Sequence, residues 1–433
     1  MNRPLPAWRW GDVDTMAGMA NATPESLAQR GTPYACALLA GLCVAAATFF
    51  AGAWSPLLAV LGVAAAMAIA LRAERGHNLL GLAFFAGWII PTTLWFYAFM
   101  TPVVLAAAAS LGWVALMGNL FRILGPRRIP VWARLLIFSL VWAGWSWVRI
   151  RIPVTENWWL PHLGYAVWRN SGLSQAAIVA GEASVELLVL LLSAALAWAW
   201  CGRRRWRVVP TAVGVAAVIV AGHAAVHAIP DSTRLDRVLV VQSEEKAPAL
   251  MERTAAALQR NQHVTTVVWP ENHLDKAEVT AAQAFAKEHR IRLSVNATSA
   301  RNQNVVKLIG ADGRIVLVNT KAHIAPGENH RATFSENSYE HVTAYVCYDI
   351  HYPDMVERVG SARLVLGSVN DTEFPATEKS FHLADATFRA VQSHAAFALS
   401  SQDGPTALID EHGRLVGKLP YEYPGTSPAK TAH

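Results

Sequence analysis

The apolar positions of this chain change their rhythm once, close to residue 230. Before that point they run in long unbroken blocks; after it they come in short bursts divided by polar turns. Blocks of roughly membrane-spanning length, about 20 residues each, occupy 34–53, 55–71, 79–98, 101–120, 132–149, 182–201 and 208–228. They predict a polytopic α-helical membrane bundle of about seven spans, the second being the shortest. From Leu235 the texture is that of a layered α/β domain. Strand-like runs at 237–242, 264–269, 291–297, 304–310, 313–319, 341–348, 362–368, 395–401 and 406–410 alternate with helical patterns at 247–260, 276–289 and 377–393. The turn Ala311-Asp312-Gly313 marks a hairpin. The chain therefore divides into an N-terminal segment (1–33), a bundle (34–228), a folded domain (235–420) and a polar tail (421–433).

Composition agrees with that division. At 433 residues with 53% hydrophobic side chains, and a mean hydropathy of +0.26, a single soluble domain is excluded. The first lysine is Lys246, so every earlier basic residue apart from histidine is arginine. Arg3, Arg9 and Arg30 precede the first span, and Arg72 and Arg75 follow the second. Arg122, Arg127, Arg128 and Arg134 divide the fourth from the fifth, and Arg203, Arg204, Arg205 and Arg207 the sixth from the seventh. The opposite loops hold Arg149, Arg151 and Arg169. Positive-inside bias puts the N-terminus in the cytoplasm, and an odd number of spans delivers the second half to the outer side. No apolar segment follows Leu419, which leaves the C-terminus expected on that side too. Asp12, Asp14 and Glu25 argue against a cleavable signal. The pI near 9.2 reflects topogenic arginines, so no nucleic-acid partner is expected, and no Gly-rich phosphate loop supports a nucleotide-driven motor.

Candidate chemistry concentrates in the second half. Cys36, Cys43 and Cys201 lie in or beside spans, where a small apolar side chain is expected. Cys347 stands alone outside them and has no partner for a disulfide within its domain, which makes it a candidate nucleophile. A thiol attacking a carbonyl needs a base for its proton and a fixed cation or backbone donors for the oxyanion. Glu271, at the end of an apolar strand, suits the first need, and Lys321 the second. His323, His330, His341, His351 and His382 show no metal-ligand spacing; they are expected to be surface or hydrogen-bonded residues, and neither metal nor cofactor is expected. Glu182 and Glu186, one turn apart, are expected to be solvated or paired. Trp158 and Trp159 are read as interfacial anchors or as the lining of an acyl entrance.

The segments VVWPENH around Glu271, NTKAHIAPGE around Lys321 and AYVCYDIHYPD around Cys347 resemble the Glu-Lys-Cys triad of the nitrilase (carbon–nitrogen hydrolase) superfamily. With the spans in front, and with 161–188 and 369–413, the chain is similar to that superfamily's membrane-bound branch. This branch comprises the apolipoprotein N-acyltransferases and the conjugal-transfer proteins of the TraB type. The resemblance implies a four-layer αββα sandwich after the bundle. It implies a thioester on Cys347, Glu271 as base and Lys321 as oxyanion holder, with Glu328, Tyr348, Asp349 and Asn370 as auxiliary or positioning residues. It also implies a phospholipid acyl donor, a lipoprotein or other amine acceptor, and a bacterial inner-membrane location with the catalytic domain in the periplasm. Asp349 stands where the lipoprotein enzymes have Glu, Lys321 and Glu328 are one residue closer, and Thr372-Glu373 replaces Ala-Trp. Together with the length and the missing last span, these differences lean towards a conjugal-transfer relative, with conjugation machinery as partner. Lipoprotein maturation, a silent docking component and a small-amide hydrolase remain alternatives.

Overall fold

The computed structural model describes residues 24–418 and 431–432, apart from breaks at 51, 53, 100–102, 153–160, 203–204, 231, 326–327, 331, 334, 336, 373 and 375. In 24–30, 95–99, 103–109, 205, 376–378, 418 and 431–432 only the backbone is described. The segment up to residue 23, Trp158, Trp159, Arg203, Arg204, Glu373 and most of the tail lie outside the described residues.

Each predicted block forms a helix: α1 (Pro24–Phe50), α2 (Ser55–Arg72), α3 (His77–Phe99), α4 (Val103–Leu120), α5 (Val131–Arg149), α6 (Glu182–Cys201) and α7 (Val208–His227). Among the described residues, six stretches are long and apolar enough to cross a membrane. They lie in every helix but α4, whose side chains are described only from Ser110. Apolar helices in lipid gain little from mutual burial, so close backbone approach has to hold them. Gly41 supplies it where α1 meets α3: a Cβ there would lie 2.0 Å from the Phe84 carbonyl oxygen. Gly81 does the same against Gly118 of α4, at 2.2 Å. Beside these crossings Phe84, Phe85, Trp88, Phe121, Phe138 and Trp142 form a buried aromatic cluster, with Trp88 and Trp142 stacked at 5.9 Å.

The folded domain has two sheets. One contains β1 (Val238–Val241), β2 (Thr266–Val268), β3 (Arg292–Thr298), β4 (Asn304–Ile309) and β5 (Ile315–Thr320) in spatial order. The other contains β6 (Val342–Val346), β7 (Leu364–Val369), β8 (Ala396–Ser401), β9 (Ala407–Ile409) and β10 (Leu415–Lys418), also in order. In each, a parallel run of three strands continues into antiparallel partners. Period-2 alternation assigns the faces. Val238 and Val240 point inward to meet Val346, Leu366 and Ala398 of the facing sheet. Leu239 and Val241 point outward to α8 (Ala247–Arg260) and α9 (Lys276–His289). On the far side α10 (Ala376–Ser393) lays Phe381, Phe388 and Val391 over Val365, Phe397 and Leu399. The expected αββα layering results. Among the described residues two strands escaped the sequence: β10, and a two-residue strand β11 (Thr431–Ala432) that pairs antiparallel with β1 in what reads as a polar tail.

The outer helical layer also belongs to the bundle. One continuous apolar core includes α10 and the connection between α5 and α6. Tyr165 of that connection stacks on Phe381 with centroids 4.1 Å apart, and its hydroxyl donates to Asp385 Oδ2 at 2.8 Å. Arg389 donates to Glu182 Oε1 at 2.5 Å. Glu186 accepts from the Leu163 amide at 2.8 Å. Both glutamates are buried, which corrects the solvated alternative. Glu182 faces a folded domain rather than water, and a carboxylate there has to be paired.

Removing one partner of a buried pair leaves an uncompensated charge. Glu182→Gln is therefore expected to lower stability by roughly 3 kcal/mol, read as earlier thermal unfolding in detergent. Combining it with Arg389→Met is expected to restore part of the loss.

Candidate active site

Strand ends bring the candidate residues together. Glu271 follows β2, Lys321 follows β5, Cys347 follows β6, and Asn370 and Asp371 follow β7. All lie beyond the carboxyl ends of their strands, at one rim of the sandwich. Main-chain bonds fix Glu271 across the two sheets: its amide donates to the Val369 carbonyl at 3.2 Å, and its carbonyl accepts from Gln402 Nε2 at 2.6 Å. Its side chain is 3% exposed. Oε1 accepts from Asn304 Nδ2 at 2.6 Å and lies 3.5 Å from Lys321 Nζ.

Lys321, 1% exposed, also donates to Glu328 Oε1 at 2.5 Å, so its ammonium sits between two carboxylates. Burial alone would lower its pKa; Glu271, then Cys347 and Glu328, raise it above the usual lysine range. The ammonium is a fixed cation at every working pH. The Cys347 thiol is raised as well, which for a thiol favours the neutral form. Burial pushes it well up and Glu271 adds to that, with Lys321 pulling partly back. The sulfur therefore holds its proton at rest.

Cys347 has φ +40°, a left-handed conformation that costs a non-glycine residue energy and clusters at functional sites. It opens a 3-10 turn, Cys347–His351. Asp349, two residues on, ties this turn to the lysine loop. Its Oδ1 accepts from the amides of Ala322 at 3.0 Å and His323 at 2.9 Å, and its Oδ2 from Arg358 Nη1 at 2.8 Å. Tyr348 is buried, its ring 5.5 Å from that of His351 and 5.4 Å from that of Tyr352. Asn370 presents its carbonyl 3.8 Å from Cys347 Sγ, while its side chain accepts from the Thr372 amide at 3.1 Å. All seven candidate residues thus line one site or brace it.

Sequence reasoning missed three of its neighbours. Asn304 holds the Glu271 carboxylate. His382, set aside as a surface or satisfied histidine, is buried and brings Nε2 to 4.0 Å from Cys347 Sγ. Asp371 lies behind it, Oδ1 2.8 Å from Nδ1. A signal existed: His382, Asp385 and Arg389 recur at helical spacing on α10, a polar stripe on a helix whose neighbouring Phe381 and Phe388 mark it as packed.

No family model matches the chain. It is 33% identical over 98 residues to the apolipoprotein N-acyltransferase of Pseudomonas paraeruginosa, covering 22% of this chain and 19% of that one. It is 23% identical over 290 residues to the apolipoprotein N-acyltransferase of Brucella melitensis biotype 1, covering 60% of this chain and 50% of that one. These homologues are apolipoprotein N-acyltransferases. Identity to them is weak, and the chain spans half or less of their length. Among solved structures it is similar to an amidase from Nesterenkonia sp. at 16% identity and TM-score 0.37, covering 45% of this chain and 88% of that one. It is also similar to a nitrilase-superfamily protein of Saccharomyces cerevisiae at 17% identity and TM-score 0.36, covering 45% and 87%.

Asp349→Asn removes a carboxylate from buried Arg358 and weakens the tie to the lysine loop. A loss of roughly 3 kcal/mol in stability is expected. Faster proteolysis in the loop after Lys321 than elsewhere would show that the tie itself had loosened.

Proposed function

We propose that this chain is a membrane-bound acyltransferase that carries its acyl group as a thioester on Cys347. The donor is a membrane phospholipid, and the acceptor an amine such as the amino terminus of a lipoprotein. The observation that carries this reading is the meeting of Glu271, Lys321 and Cys347 at one rim of a sandwich whose outer layer is continuous with apolar helices. A soluble amidase has no need of such helices, whereas an enzyme drawing on lipid does.

Sγ attacks the ester carbonyl of the phospholipid; a C–S bond forms, the C–O bond breaks, and the lysolipid leaves as the alcohol. Glu271 is the general base, on the thiol and then on the incoming amine. Lys321 and the amide after Cys347 hold the oxyanion. In the second step the amine nitrogen attacks the thioester, the C–S bond breaks, and an amide is released. Glu328 keeps the ammonium in place, Asp349 the two loops, and Asn370 the far side of the sulfur. The arginine bias between spans supports a periplasmic catalytic side in a bacterial inner membrane. The relatives described above are acyltransferases, so lipoprotein maturation is the reading taken. The conjugal-transfer likeness rests on the sequence segments alone.

The test is the intact mass of the detergent-solubilised protein after incubation with phospholipid. A fatty-acyl increment that hydroxylamine removes, and that Cys347→Ser lacks, is expected. Lys321→Ala should slow its appearance by about 10²–10³-fold, the usual loss of an oxyanion donor. Absence of any adduct, under conditions that acylate a relative, would leave a docking component of a conjugation apparatus or a small-amide hydrolase.

A further inference from the structure

The proton of the Cys347 thiol needs an acceptor in contact with the sulfur, and one stands there that the Glu-Lys-Cys reading does not use. His382 Nε2 is 4.0 Å from Sγ. Its other nitrogen, Nδ1, faces Asp371 Oδ1 at 2.8 Å. A ring nitrogen facing a carboxylate carries the hydrogen, which leaves Nε2 bare and aimed at the thiol. Asp371 is 0% exposed, and among the described residues its side-chain oxygens meet His382 alone, in an ion-pair contact outside hydrogen-bond geometry. A buried carboxylate held only by an imidazole is stabilised most when that imidazole is charged.

The other groups facing His382 do not offer this charge. His351 lies beside it, ring centroids 4.4 Å apart, with Nδ1 2.5 Å from Asp385. Burial holds His351 well below the usual histidine range. Burial, with Glu182 nearby, holds Asp385 well above the carboxylate range. That second pair passes on, through Asp385, to Tyr165 and the bundle. Glu271, meanwhile, is engaged by Asn304 and Lys321.

We propose that His382, oriented by Asp371, is a further catalytic residue that takes the Cys347 proton as the sulfur attacks, forming a transient thiolate–imidazolium pair. The inference rests on Cys347 being the nucleophile, and it divides the labour assigned above to Glu271. The Sγ proton moves to Nε2, leaving the pair neutral overall. When Sγ attacks the ester carbon and the C–O bond breaks, Nε2 gives that proton to the departing alkoxide. In the second step the amine gives its proton to Glu271 as the C–S bond breaks. That proton then returns to Sγ and restores the resting thiol.

The experiment is the pH profile of iodoacetamide alkylation at Cys347, read by peptide mass on the full chain in detergent, with exposed Cys36 as internal reference. Wild type is expected to react at neutral pH through the pair. His382→Gln should react at least about tenfold more slowly near pH ~7 and recover only in alkali, because the thiolate is the reactive form. Asp371→Asn, which keeps the ring, should fall between. A His382→Gln profile that superimposes on wild type overturns the proposal. If thermal melting shows His382→Gln unfolded, Asp371→Asn decides, and an unshifted profile there overturns it equally. Thioester formation from phospholipid, measured alongside, separates the two readings. A shifted profile without thioester keeps the dyad and removes the lipid donor; thioester with an unshifted profile does the reverse.

Discussion

An ammonium buried to 1% exposure cannot stand without compensating charge, since taking it out of water costs several kcal/mol even after relaxation. Lys321 meets that demand with Glu271 on one side and Glu328 on the other. Much of the site's geometry follows. Glu271 must come from the end of one strand in the first sheet and Lys321 from another, so β2 and β5 have to finish at the same rim. Asn304, at the start of β4 between them, holds the carboxylate that holds the lysine. The second sheet contributes the sulfur, and Asp349 keeps it in register by accepting the amides that follow Lys321. Charge compensation at one atom, Nζ, thus links both sheets.

The same economy of charge governs the junction with the helices. Glu182, Arg389, Asp385, His351 and Tyr165 form a buried polar seam within an otherwise apolar core. Polar groups there contribute less to net stability than apolar packing would. They do impose one alignment, because a shift of a single helical turn would strand several of them at once. The seam runs from the bundle to His382 beside Cys347.

Much of this was legible in the residues themselves. Short continuous apolar runs such as Val238–Val241 and helical runs such as Ala247–Arg260 carry strong local signals, and the structure places those elements within a residue or two of their predicted bounds. The apolar blocks announced the helices for the same reason. What could not be read depends on contacts remote in sequence. His382 lies 35 residues beyond Cys347 and meets it only because α10 crosses the end of the second sheet. Asn304 and Arg358 look like ordinary strand and surface residues until the carboxylates they serve are in place. Glu182 reads as an interfacial charge because its partner, Arg389, comes 207 residues later. β10 was missed because Leu415–Lys418 is short and its partner strand, not its own pattern, makes it a strand.

The sharing of α10 between sandwich and bundle has a mechanical consequence. A catalytic domain joined to its anchor by a free linker could dip towards the bilayer and lift away again. Here one helix serves as the wall of both parts, with Phe381 gripped by Tyr165 and Arg389 by Glu182. The height of Cys347 relative to the helices is therefore set by the fold. A long-chain molecule lying among the helices would have to rise to meet the sulfur, by a distance that the shared helix fixes.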